Sequence, residues 1–315
     1  MSIPQLGAGA LSLFDVFSSK YVFRIPLYQR PYSWNHEQAT ELLDDLKGAI
    51  DEIAKIGDLH PYFLGSIVLI KQPDDPTSDV VDGQQRLTTL TILMSVLRDL
   101  TVDPKTQNSR HEFICQDGNT DAGLEDVYRI TLREEDAAFF RSSIQTPGTT
   151  GKLPNVAGRP EDPRVCLVEN ANVFRKELVS WSNEKRDRLV QFLLQRCYLV
   201  VVTTSDHKSA YRIFSVLNAR GLDLSPTDIL KATIVGAIPE KKRTKYITIC
   251  DHFWSNLGNG MDTRNIRGTP SRIDWPPRIG MAIVSAYSRI SLDEFHRGFG
   301  FGRARRNFSR LHVEL

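Results

Sequence analysis

The chain has 315 residues, enough to bury a sizeable core as one large domain or two modest ones. Its 41% hydrophobic and 25% charged residues, with a formal charge of +2, fit a globular protein. No apolar run approaches the roughly 18 residues that span a bilayer, the start lacks a signal-peptide layout, and Cys115, Cys166, Cys197 and Cys250 are far apart with no CxxC pair. These features argue against a membrane protein, an exported disulfide framework or a zinc cage, and make the cytoplasm the expected compartment, with reduced, buried thiols.

In chain order, residues 21–27 read as a short strand. Asn35 then caps a helix expected to reach Ile56, with Gln38 at the capping-box position and Gly57 as the stop. Its apolar stripe is Ala39, Leu42, Leu43, Leu46, Ile50 and Ile53. Residues 63–70 form an unbroken apolar strand, 72–78 a proline-containing turn and 79–81 a short partner, most simply a hairpin. A helix follows to about Leu100 with Leu87, Leu90, Met94 and Leu97 as its buried stripe, which leaves Arg86, Thr88 and Thr89 to face elsewhere. Residues 101–121 and 145–162 are expected as loops.

Further on, helices are expected at 169–180 and 184–195, a β-branched strand of the buried type at 197–203, and a helix at 208–217 ending near Gly221. Ser225, Pro226 and Asp228 restart a helix, so residues 218–231 form a tight polar corner. Residues 264–315 carry ten arginines, no lysine and four acids. Interleaved with phenylalanines, such a segment suits contact with nucleic-acid phosphates, but its lack of lysine and weak periodicity fit better a disordered, truncated or frameshifted end.

The most informative run is Val80-Val81-Asp82-Gly83-Gln84-Gln85-Arg86-Leu87-Thr88-Thr89-Leu90, which joins an apolar strand to a helix through a polar turn. Backbone N–H groups at a helix start lack intrahelical partners and carry about half a positive charge, so an anion is favoured there. Gly83 permits close approach or positive φ, Arg86 and the threonine hydroxyls add donors, and Asp82 can orient a water, a metal or Arg86. An ordinary capped βα turn has the same spacing. A second polar junction, Tyr28, Gln29, Arg30 and Tyr32, also follows a strand and precedes a helix. Two arginines and two aromatics suit a nucleotide, with phosphate clamped by Arg30 and Arg86 and a base stacked on a tyrosine. Core packing of Tyr32 and Trp34, with Arg30 paired to an acid, is the competing reading.

The string Asp-Gly-Gln-Gln-Arg followed by Leu-Thr-Thr resembles the hallmark of the N-terminal domain of GmrSD-type restriction endonucleases, related in fold to ParB and sulfiredoxin. Ile25-Pro26-Leu27-Tyr28-Gln29-Arg30-Pro31-Tyr32-Ser33-Trp34, then Tyr62-Phe63-Leu64-Gly65-Ser66-Ile67, and the stretch Ala210-Tyr211-Arg212-Ile213-Phe214 continuing through Asn218, Arg220, Gly221 and Lys231 resemble further motifs in the same order. The resemblance implies an α+β fold, a small ParB-like mixed sheet with many surrounding helices, over residues 1–235. Residues 236–315 would then be a basic C-terminal segment, the start of a helical region or partly disordered, in which no HNH nuclease is legible.

In function, the resemblance implies binding and hydrolysis of a nucleoside triphosphate with Mg2+, coupled to recognition of modified or foreign DNA in anti-phage defence. Asp82, Gln84, Gln85 and Arg86 would be catalytic, with Asp82 as the metal ligand. Tyr28, Gln29, Arg30, Tyr32, Gly83, Thr88, Thr89, Asn218, Arg220 and Lys231 would bind nucleotide. A non-hydrolysing nucleotide- or DNA-sensing module that regulates a partner nuclease, and a ParB-like DNA nickase, are the alternatives. Expected partners are DNA, nucleotide and an HNH nuclease domain or partner protein, with no membrane and with a homo-oligomer among the open arrangements.

Overall fold

The computed structural model describes residues 6–51 and 55–218. The expected corner at 218–231 and the basic segment 236–315, including any HNH unit, lie outside them.

The elements in order are β1 (Leu6–Ser12), α1 (Leu13–Val16), β2 (Val22–Arg24), α2 (His36–Asp51), β3 (Tyr62–Lys71), β4 (Thr77–Asp82), α3 (Gln84–Asp99), α4 (Pro104–His111), β5 (Cys115–Gln116), β6 (Val127–Tyr128), β7 (Ile130–Thr131), α5 (Glu134–Phe140), α6 (Pro163–Leu178), α7 (Asn183–Arg196), β8 (Cys197–Thr204) and α8 (His207–Asn218). A mixed sheet in the order β1-β8-β3-β4-β2-β7 forms the frame, and β5 and β6 pair separately. The hairpin expected between β3 and β4 is antiparallel, whereas β3 runs parallel to β8 and β4 parallel to β2. The fold is α+β as expected.

Strands β3 and β8 sit mid-sheet, which explains their unbroken apolar runs: Ile67, Val68 and Leu69 are inaccessible to solvent, as are Cys197 and Leu199. Helix α2 starts as its sequence dictates. Asn35 Oδ1 accepts from the Glu37 N–H at 2.8 Å, and Gln38 Oε1 accepts from the Asn35 N–H at 2.9 Å. The described helix ends at Asp51, and Gly57 belongs to a separate 3₁₀ turn, Ile56–Asp58, preceded by Lys55 in an extended conformation. Two segments expected as loops contain helix starts. Asp103 caps α4 and Asp162 caps α6, each followed by proline at the first helical position.

Helix α3 departs furthest from expectation. Apart from Arg86, every residue from Gln84 to Arg98 is buried, not only the stripe Leu87, Leu90, Met94 and Leu97. The helix packs against α4, α6, α7 and the segment 141–151, so no face remains for solvent. Thr91, lining it, turns its hydroxyl back to the Leu87 carbonyl at 2.9 Å, which makes a polar side chain tolerable in the core.

The far end of α3 is closed by a buried ion pair. Arg98 Nε donates to Asp99 Oδ1 at 2.7 Å, with both side chains at most 2% exposed. The Arg98 guanidinium also donates to the carbonyls of Gln145, Ile144 and Thr146 at 2.6, 3.3 and 2.9 Å. Asp99 accepts from the N–H groups of Gly148 and Thr150 and from Thr150 Oγ1, at 2.8, 3.0 and 2.7 Å. One pair therefore fastens the irregular 144–150 chain to the core. Removing one partner strands the other charge, so Arg98→Ala is expected to lower unfolding free energy by about 3–5 kcal/mol in denaturant titration. A loss under about 1 kcal/mol would mean that the carbonyls find other donors.

Candidate functional site

The first turn of α3 is set by a close approach. Gly83, at φ +91°, precedes the helix and offers no side chain to cap it. A Cβ here would meet Ile67 Cγ2 at 2.4 Å and the Ser66 carbonyl oxygen at 3.2 Å, so the strand-to-helix turn lies flat on β3 only because the residue is glycine. Beside it, Gly65 sits at φ +101° where the pairing of β3 with β8 shifts register, and a Cβ there would come within 2.9 Å of Arg86 Nη2. The gap left by that glycine holds the Arg86 guanidinium, whose Nη1 donates to the Ser66 carbonyl at 3.0 Å. Gly65 was not among the expected site residues, although an isolated glycine inside a strand pattern signals such an approach.

The two glutamines do framework work. Gln85 Oε1 accepts from the Ser33 and Trp34 N–H groups at 2.8 and 3.2 Å, while its Nε2 donates to the Pro31 carbonyl at 3.1 Å. Gln84 Nε2 donates to the Arg30 carbonyl at 2.7 Å, and its buried Oε1 has no hydrogen-bond partner. Gln29 returns the favour by donating to the Val80 and Val81 carbonyls at 3.3 and 2.8 Å. The two polar junctions expected to converge are thus laced together through backbone groups.

A hydrogen-bond chain continues inward. Asn170 Nδ2 donates to Tyr32 Oη at 2.7 Å and to the Trp34 carbonyl at 2.8 Å. Tyr32 Oη and Thr89 Oγ1 are 2.7 Å apart, and Thr89 Oγ1 donates to the Gln85 carbonyl at 2.9 Å. Since Thr89 spends its proton on that carbonyl, Tyr32 must donate to Thr89. Burial holds the Tyr32 phenol well above its ordinary range, so it remains neutral. Asn170 has no counterpart in the sequence pattern and is legible only from the fold. Thr88 and Thr89 are 0% exposed and Tyr32 is 1% exposed, so their side chains lie inside the core and not at the mouth of the turn. Tyr28 is likewise buried.

What faces outward is a smaller set. Asp82, Gly83 and Arg86 are half-buried and Arg30 is exposed. Burial raises the Asp82 pKa above 3.8, a shift opposed by the Gly83 N–H and by the charges of Arg86 and then Arg30. Burial likewise lowers the Arg86 pKa, with Asp82 opposing. Asp82, Arg86 and Arg30 therefore sense one another across the mouth without forming an ion pair among the described residues. Asn218 ends α8, and Arg220 and Lys231 lie outside the described residues.

One group of described residues has metal-ligand spacing, His111, Cys115 and Asp117, whose ligand atoms lie within 4.8 Å of one another. Arg98 Nη1 stands 3.2 Å from His111 Nδ1, and an arginine can only donate. The imidazole proton is thereby placed on Nε2, 3.5 Å from Asp117, where it blocks the lone pair that a metal would need. Burial, and next the Arg98 charge, hold the His111 pKa below 6.5, in keeping with a neutral ring.

A six-stranded mixed sheet carrying a buried helix that is entered through an Asp-Gly-Gln-Gln-Arg turn defines an α+β domain. The chain matches the GmrSD restriction endonuclease, N-terminal domain, over residues 13–235, and it belongs to that family. Membership points to restriction and anti-phage defence and implies interaction with DNA. No curated protein matches the chain. Among the described residues, no helix is long and apolar enough to cross a membrane.

The framework role of Gln85 is testable apart from any activity. Gln85→Ala removes three bonds to backbone groups and is expected to cost about 1–3 kcal/mol of stability. In the same variant, amide exchange at Ser33 and Trp34 should accelerate while that at Leu93 changes only with global stability; unchanged exchange at 33–34 would refute the tether.

Proposed function

We propose that the mouth of α3 binds a nucleoside triphosphate with Mg2+ and hydrolyses it, and that turnover is coupled to recognition of modified or foreign DNA. The observation that carries this reading is the start of α3 itself: a helix N-terminus with no side-chain cap, opened by a positive-φ glycine between a half-buried Asp82 and a half-buried Arg86. Free N–H groups and the helix dipole favour phosphate oxygens there. The unpartnered Gln84 Oε1 is an acceptor that a donor group of a ligand would satisfy.

In this reading Arg86 and Arg30 hold phosphate oxygens, and Asp82 holds the metal or orients a water. A single carboxylate is adequate for Mg2+, which keeps several waters and takes other ligands from substrate phosphates. Gln84 and Gln85 act by position, since their amides secure residues 30–34. The metal supplies charge neutralisation at the phosphates when bound. Asp82 must be ionised for its part, so activity rises with pH as the carboxyl deprotonates, over a range displaced above 3.8.

A second reading, a nucleotide sensor without turnover, is favoured by one observation. With the Nε2 groups of both glutamines engaged to backbone, Asp82 is the one acid among the described residues placed at the mouth to activate a water. The nickase alternative draws no such support.

Phosphate release with Mg2+, with and without DNA, decides between them. We expect release by the wild type, stimulated by DNA, and a loss of at least tenfold in Arg86→Ala. Unchanged release in that variant would contradict the assignment, and nucleotide binding without release would favour the sensor. Asp82→Asn should abolish release without lowering stability. The sign follows from linkage: a carboxyl whose folded pKa is raised stabilises the fold when protonated and loses that contribution as pH rises through the raised value. A large fall in the melting temperature of Asp82→Asn at neutral pH would contradict it.

A further inference from the structure

The irregular stretch at 150–156 and the outer face of α6 enclose an open groove of about 590 Å³. On α6, positions 165, 168, 169, 172 and 175 share one face at three- and four-residue spacing, while Asn170, Ala171 and Phe174 face the core. The groove is separate from the signature turn. Its loop is fastened through Thr150 to Asp99, at the opposite end of α3 from Gly83. Sixteen residues of helix put those ends about 24 Å apart.

Arg175 is the telling residue. Its guanidinium lies over Gly151, where a Cβ would come within 3.3 Å of Nη2, and its Nη1 is buried without a hydrogen-bond partner. A buried cationic donor left unmet is destabilising, and an anionic oxygen would relieve it. Lys152, exposed on the facing loop, adds a second positive charge. Val165 and Val168 form an apolar wall, and Asn155 and Asn172 each present both donors and acceptors. Glu169 also lines the groove and would repel a bare anion, whereas a carboxylate suits sugar hydroxyls.

From this set we infer that the groove is a second nucleotide site: phosphate on Arg175 and Lys152, sugar hydroxyls on Glu169, base edge on the asparagine amides and base face against the valine wall. The volume accommodates one nucleotide. The inference is independent of the triphosphate reading, because it uses no residue of the signature turn.

Calorimetric titration of the intact protein with nucleoside monophosphates tests it, using Arg175→Gln, Lys152→Ala and Arg86→Ala. The expected result is a binding component weakened about tenfold or more by Arg175→Gln and severalfold by Lys152→Ala, but retained in Arg86→Ala. Lys152 is exposed, so its variant remains informative if Arg175→Gln is unstable. A short single-stranded oligonucleotide is the second arm: tighter binding with the same Arg175 dependence identifies a strand as the source, and preference for the monophosphate identifies a diffusible ligand. The inference is overturned by absence of saturable binding, by binding that only Arg86→Ala removes, or by inorganic phosphate binding as tightly as the nucleotide.

Discussion

A helix buried along its whole length must have both of its ends satisfied by something other than water, and that constraint organises this domain. At the C-terminal end of α3 the answer is internal: the Val96 carbonyl accepts from the Leu100 N–H, the Leu97 carbonyl from Thr101 Oγ1 and Arg110 Nη1, and the Arg98 carbonyl from the Thr101 N–H. At the N-terminal end the answer is partial. Gln84 and Gln85 spend their amides on residues 30–34, and Gly83 supplies no cap. Among the described residues, the end without a side-chain cap is the one bordered by Asp82, Arg86 and Arg30.

This asymmetry divides the signature string into two kinds of residue. Gln85 and Thr89 are framework, joined to Tyr32 and Asn170 in one directed hydrogen-bond chain that fixes the 31–34 segment against α3. Gly83 and Gly65 are clearances, the first letting the turn lie on Ile67 and the second admitting the Arg86 guanidinium. Among the described residues, Asp82, Arg86 and Arg30 are the ones whose side chains face outward at this turn.

Much of the architecture is legible in the sequence for identifiable reasons. The capping box of α2, the apolar runs of β3 and β8, and the glycine-led start of α3 are local signals that the tertiary fold respects. The all-round burial of α3 is not, because Thr88, Thr89, Thr91 and Ser95 look like a polar face until their surroundings are known. Helix α4 hides in a polar stretch despite its Asp103-Pro104 start, and α6 begins well before its apolar periodicity becomes clear. Edge strand β1, with its run of glycine and alanine, carries no strand signal beyond its pairing with β8. Nothing in the sequence pattern marks Arg98 and Asp99 as buried, since their partners are mostly backbone groups about fifty residues away.

In the proposed function the start of α3 is an anion site and not merely a buried helix terminus. Backbone amide shifts of the 15N-labelled protein, followed while a magnesium complex of a non-hydrolysable nucleoside triphosphate is added, test it most directly. Saturable shifts concentrated at Gly83, Gln84, Gln85 and Arg86 are the predicted result. Shifts confined to other regions, or none at saturating nucleotide, would contradict it.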